Sequence, residues 1–225
     1  MTFRDSAIAE SRPIFILIGG LDMVYRELKN QVLKLLNQYT MAGAAVSDLY
    51  NNQMDYINRI PGLANDAMME IATTVRKIPA TMELRLLPQE DLGQEIRYRL
   101  PTDFFQFKSG DTVRTDGGKT LHTNQYMLHG KRFLLVPKEE NGEYAITYYR
   151  YPVLLDPEPE DADELDNTPE THYAIPFYVA SFLVAPDEPF LCSLFMNKFA
   201  DKLSNMMPDI TAEAHPTDDV YSFNL

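Results

Sequence analysis

The sequence predicts an α+β protein: mainly a helical bundle built from the N- and C-terminal segments, with an antiparallel β-lobe inserted between them. Apolar spacing carries this reading. Large apolar residues recur every three to four positions from Met23 to Arg76 and again from Ile175 to Leu203, the repeat of a single helix face. From Met82 to Tyr151 they alternate, the repeat of half-buried strands. Turn signals at Asp116-Gly117-Gly118 and Asn141-Gly142 fall inside the alternating region, where a hairpin needs residues that tolerate positive φ.

Residues 1–22 read as a poorly structured leader. Its apolar stretch, Pro13 to Leu21, is too short to span a bilayer. It also lacks the basic flank of a signal peptide, because Arg4 is offset by Asp5 and Glu10, and Met23 is a second plausible start. Residues 23–78 hold the N-terminal helices of the bundle. The first runs from about Met23 to Tyr39 on Val24, Leu28, Val32, Leu35 and Leu36. A weaker pattern runs from Asp48 to Ile60, and Pro61 then opens a new helix to Arg76, because proline suits a first turn and disrupts a helix interior. Its apolar face is Leu63, Ala64, Ala67, Met68, Ile71, Ala72 and Val75.

The β-lobe, 79–155, begins after the helix-ending Pro79. Met82, Leu84 and Leu86 alternate with Glu83 and Arg85, and Ile96, Tyr98 and Leu100 with Arg97 and Arg99. Further strands are expected at 104–107, 112–115, 120–122, 132–136 and 144–151. Residues 156–170, DPEPEDADELDNTPE, form an acidic linker whose composition cannot build a core of its own. A C-terminal helical hairpin follows at 171–206, with Thr168 as cap, a start or kink at Pro176, and a last helix on Leu191, Leu194, Phe195, Phe199 and Leu203. Residues 207–225 are an extended tail ending in alternating Tyr221, Phe223 and Leu225.

Charge and chemistry narrow the function. The 225 residues carry a net charge of -13, which disfavours phosphate-led recognition of nucleic acid sequence. A single cysteine, Cys192, excludes an internal disulfide and, with four scattered histidines, argues against structural zinc and for a reducing, intracellular origin. No phosphate-cradling glycine loop, dinucleotide fingerprint, zincin helix or nucleophile elbow is present, so the expectation is no enzyme, no cofactor and no metal. His122 and His129 could pair on a metal only if two strands brought them together, and exposed turn histidines are the simpler account. Cys192 reads as a core thiol and His172 as a polar residue at a helix terminus. Asp161, Asp163 and Asp166 suggest calcium, but their loop lacks the glycine and closing glutamate of an EF-hand and reads as solvated linker. Met54, Met68, Met69 and the cluster Tyr148, Tyr149 and Tyr151 could form an adaptable partner surface, though core packing accounts for most of them.

Four segments carry a resemblance: IPGLANDAMMEIA (Ile60 to Ala72), YRLPTDFFQF (Tyr98 to Phe107), ITYYRYPVLL (Ile146 to Leu155) and ELDNTPETHYAIPFYVASFLV (Glu164 to Val184). In this order they resemble head-tail connector, or adaptor, proteins of tailed bacteriophages and prophages, over roughly residues 23–206. The resemblance implies a structural virion protein: a homo-oligomeric ring, usually of twelve copies, beneath the portal protein. Such a ring extends the channel through which double-stranded DNA passes without sequence-specific binding, and joins capsid to a downstream tail or stopper protein. It implies residence in the virion neck after synthesis in the host bacterial cytoplasm, with no membrane partner. Tyr221, Phe223 and Leu225 become portal-docking candidates. Arg85, Arg97 and Arg99, facing Asp161 and Asp163 of a neighbouring copy, become subunit-interface candidates. The negative charge suits a lumen that repels duplex phosphates. The alternatives are another neck or tail component, such as a stopper or tail-tube partner, or a small hydrolase or ligand-binding domain with His122, His129 and Glu143 as the first residues to change.

Overall fold

The computed structural model describes residues 22–36, 51–108, 113–115, 120–121, 127–130, 132–138 and 144–206, and shows an α+β chain with helices, then antiparallel sheets, then helices. The leader up to Leu21, both predicted turns, His122, Glu143 and the tail from Met207, with Tyr221, Phe223 and Leu225, lie outside the described residues.

Helix α1, Tyr25–Leu35, buries Tyr25, Leu28, Val32 and Leu33. Its N-cap, Val24, has no side chain able to cap, so the first-turn donors need another acceptor. They find it in the acidic segment: Tyr25 N–H donates to the Asp163 carbonyl at 2.7 Å and Arg26 N–H to the Asp161 carbonyl at 3.1 Å. Leu165 N–H returns to the Met23 carbonyl at 3.0 Å, and Val24 forms an antiparallel bridge with Glu164. The stretch expected to be an acidic linker or solvated crossing is therefore a strap laid across the start of α1, with residues 160–162 and 164 exposed and Leu165 and Asn167 buried. Its composition does prevent a core of its own; the order comes from another element's unsatisfied backbone.

Helix α2, Asn51–Thr74, is continuous through Pro61, where the sequence predicts a break. An interior proline costs about 3 kcal/mol. Ile60, Ala64, Ala67, Met68, Ile71 and Ala72 are all essentially inaccessible, and each large side chain buried contributes about 1.5–3 kcal/mol, so packing outweighs the break. Val75, assigned to the same apolar face, is instead 45% exposed just past the helix end.

Pro169–His172 forms the short helix α3 after Thr168, whose hydroxyl makes no capping bond. Helix α4, Ile175–Val184, then starts afresh with Pro176 in its first turn. Ile175, Val179, Ala180, Ser181, Leu183 and Val184 are all buried, because α4 packs against α1, α2 and α5 (Pro189–Ser204). Tyr178 meets Phe199 edge-on at 5.1 Å, while Ala180 and Val184 pack in one cluster with Phe195, so α4 and α5 run antiparallel. Leu194, expected on the packed side of α5, is 40% exposed.

The strands build two antiparallel sheets. In the first, β9 (Tyr144–Arg150) is central: β1 (Ile78–Glu83) pairs along one edge, from Ile78 opposite Arg150 to Glu83 opposite Ala145. Strands β4 (Phe104–Phe107) and β5 (Val113–Thr115) share its other edge, and β6 (Thr120–Leu121) extends β5. The second sheet has the order β2 (Gln89–Asp91), β3 (Glu95–Arg99), β8 (Phe133–Pro137), β7 (Met127–His129). The strand predicted through Leu86 stops at Glu83. A 3₁₀ turn at Leu84–Leu86 buries Leu84, turns Leu86 out to 64% exposure and carries the chain to the second sheet. Gly93, at φ 92°, makes the β2–β3 turn, where its N–H donates to the Asp91 carboxylate at 2.8 Å.

Two large hydrophobic cores result. One gathers residues of α1, α2, α4 and α5 with Leu155 and Leu165 of the strap; the other gathers Leu84, Leu87, Tyr98, Leu100, Phe104, Leu134, Val136, Ile146 and Tyr148 from the strands.

Candidate functional site

The predicted interface arginines separate in the fold. Arg97 and Arg99, two apart on β3, line one shallow hollow of about 170 Å³ with Pro88, Gln89, Glu90 and Phe133. Arg97 pairs with Glu90 on the neighbouring strand and lies over the Phe133 ring, 4.9 Å from its centre. Arg85 is not on a strand with them. It occupies the 3₁₀ turn, exposed, and bonds to Glu83 at 2.5 Å. Asp161 and Asp163 sit on the strap, where Asp161 accepts from Lys29 at 2.8 Å and the Asp163 carboxylate accepts from Glu160 N–H at 2.9 Å. The Lys29 ammonium holds the Asp161 carboxyl below its ordinary range. Within one chain, then, Arg85, Arg97, Asp161 and Asp163 meet partners other than each other.

Asp166, grouped with those aspartates by sequence, behaves differently. Both its oxygens receive the Arg150 guanidinium, at 2.5 and 2.6 Å, and one also accepts Val153 N–H at 2.5 Å. Arg150 is 7% exposed at the end of β9 and also donates to the Tyr151 carbonyl at 3.1 Å. Hydrogen bonding to Asp166 raises the arginine's affinity for its proton above normal. A signal for this existed: alternation places Arg150 on the face of Ile146 and Tyr148, and a core-facing arginine needs a carboxylate.

Two more fasteners surround the strap, and sequence reasoning named neither. Asn65, on α2, treats Leu155 as a strand treats its neighbour: its amide donates to the Leu155 carbonyl at 2.9 Å and accepts from Leu155 N–H at 2.8 Å. His172, read as a polar terminus, is 1% exposed. Its Nδ1 accepts Met23 N–H at 3.0 Å, so Nε2 carries the proton and donates to the Asn167 carbonyl at 3.1 Å. Burial lowers its pKa below the ordinary value of 6.5.

The lobe's root is ordered by Tyr148, whose hydroxyl donates to Asp103 at 3.2 Å and is made a weaker acid, first by burial and then by that carboxylate. Cys192 is half-buried beside the α4–α5 cluster. His129 is exposed on β7. Among the described residues, no group of three or more His, Cys, Asp or Glu side chains could hold a metal ion, and no helix is long and apolar enough to cross a membrane. Chemically, the segment from Arg150 to His172 is tied to α1, to α2 and to the end of β9 by charge-assisted and backbone hydrogen bonds. No family model and no curated protein matches the chain.

Proposed function

We propose that the chain is a structural virion protein, a head-tail connector that forms a ring beneath the portal, extends the DNA channel and links capsid to tail. The observation that carries this reading is the placement of α4. This C-terminal helix packs against α1 and α2 from the N-terminal third and against α5, so that the helices read as one bundle drawn from both ends of the chain, with the strands inserted. Three of the four segments bearing the resemblance meet the helices or the strap: Ile60 to Ala72 carries the packed face of α2, Ile146 to Leu155 enters the strap, and Glu164 to Val184 runs from the strap through α4; the fourth, Tyr98 to Phe107, lies among the strands.

In a ring, the hollow bearing Arg97 and Arg99 would face the acidic strap, with Asp161 and Asp163, of the next copy. Tyr221, Phe223 and Leu225 would dock on the portal protein.

The test is native mass, alone and after mixing with the portal protein of the same phage or prophage. A discrete ring-sized complex is expected, and Arg97→Glu should weaken it. No assembly under either condition rejects the reading, whereas assembly unaffected by Arg97→Glu rejects only the arginine interface. Removal of residues 208–225 should abolish portal binding if the tail docks, and amides of that tail should be protected from hydrogen exchange only in the complex.

A further inference from the structure

The two large cores share no residue, and the strands and helices are joined by two chain crossings: Val75 to Lys77 on the way in and Tyr151 to Leu154 on the way out. Those crossings leave the β-lobe side by side, because Ile78 is the register partner of Arg150. Among the described residues no side chain belongs to both cores, and units joined without a large shared apolar interface move relative to one another by default unless something else holds them. Here the holding group is identifiable. Leu155 and Leu165 belong to the helical core, and Leu155 is tied to Asn65; Arg150 belongs to the β-lobe. Asp166, next to Leu165, reaches from the helical side to Arg150 and also takes Val153 N–H in the crossing itself.

We propose that the β-lobe is a hinged arm, pivoting at the paired crossings beside Ile78 and Arg150, and that the Arg150–Asp166 pair is the lock that sets its orientation. The bidentate geometry suits a lock. Two parallel bonds from a planar fork fix direction as well as distance, and a buried ion pair is better at specifying one arrangement than at adding net stability. The two cores are built from apolar side chains of separate segments, so unlocking is expected to free the angle while each core persists, which hydrogen exchange checks. This is a property of the single chain and does not depend on ring formation.

Spin labels at Gln89→Cys on exposed β2 and Lys198→Cys on exposed α5, in a full-length Cys192→Ser background, report the angle between lobes as a distance distribution. The locked chain should give one narrow peak. Asp166→Asn removes the charge, and Arg150→Lys keeps a charge but loses the fork. Both should replace that peak with a broad distribution while hydrogen exchange still protects Tyr148 and Ile146 in β9 and Val179 and Leu183 in α4. A peak that stays narrow in Arg150→Lys and Asp166→Asn overturns the lock, as does a broad distribution in the unmodified pair. Loss of protection in both cores together shows that the pair holds the fold rather than the angle. Should Asp166→Asn fail to fold, Arg150→Lys decides by the same readout.

Discussion

Met23 and His172 lie 149 positions apart and share a buried hydrogen bond of 3.0 Å, backbone N–H to imidazole Nδ1. The bond requires the neutral ring. Protonation would turn Nδ1 from acceptor to donor, pointing two N–H groups at each other across the seam between the start of α1 and the start of the C-terminal hairpin. Asp22 and Glu170 favour the charged ring, but desolvation outweighs them.

The pH dependence follows from that sign. The folded pKa of His172 lies below its unfolded value of 6.5, so the unfolded chain binds the proton first. Its contribution to stability is complete above the unfolded pKa and is lost as pH falls through the folded one. The urea midpoint of the native chain should therefore decline on the acid side of neutrality. The decline should be shallower in His172→Gln, whose side chain does not titrate there; identical slopes for the two chains would count against the assignment.

Asn65→Ala should destabilise by about 1–3 kcal/mol, since it leaves both polar groups of Leu155 without their partner in a partly buried site. Asn65→Asp retains the acceptor and loses the donor, and should fall between. Urea unfolding of the three chains checks the order.

Met68→Ala and Val75→Ala separate packing from pattern. Both residues belong to the apolar repeat that the sequence assigns to one helix face, yet Met68 in α2 is fully buried and Val75, just past its end, is 45% exposed. The first should cost about 2–5 kcal/mol and the second less than about 0.5 kcal/mol, measured by thermal or urea unfolding. Comparable costs would mean that Val75 is covered in solution.

Pro61 can be tested directly. Because the helix continues through it, Pro61→Ala restores an interior N–H without asking the chain to rebend, and should stabilise by up to about 3 kcal/mol if the local backbone relaxes. A loss of stability would show that the ring's own burial against the helical core outweighs the missing hydrogen bond.

Much of the fold was legible because its signals are local. The repeat of Leu28 and Val32, or of Ile146 and Tyr148, is set by which side chains share a face within a few residues, and the change of repeat marks the change from helix to strand, although Pro79, expected to end the helical region, already lies within β1. Leu84 to Leu86 misled because alternation continues across a turn that rotates the chain: the spacing persists and the direction does not. Asp161, Asp163 and Asp166 look alike in sequence, but one meets Lys29, one a backbone amide and one the buried Arg150.

By itself, then, the sequence determined the coarse order of helices, then strands, then helices, the net acidity and the scarcity of reactive side chains, since these depend on neighbours along the chain; it did not mark the strands Gln89–Asp91 and Met127–His129 or the short helix Pro169–His172. The tertiary structure decided that α2 runs through Pro61, that the acidic strap is ordered, that His172 is buried and that Asp166 closes on Arg150. Each of those outcomes depends on a group brought from a distant position, where an unsatisfied donor or a buried charge selects its partner by geometry that no local repeat records.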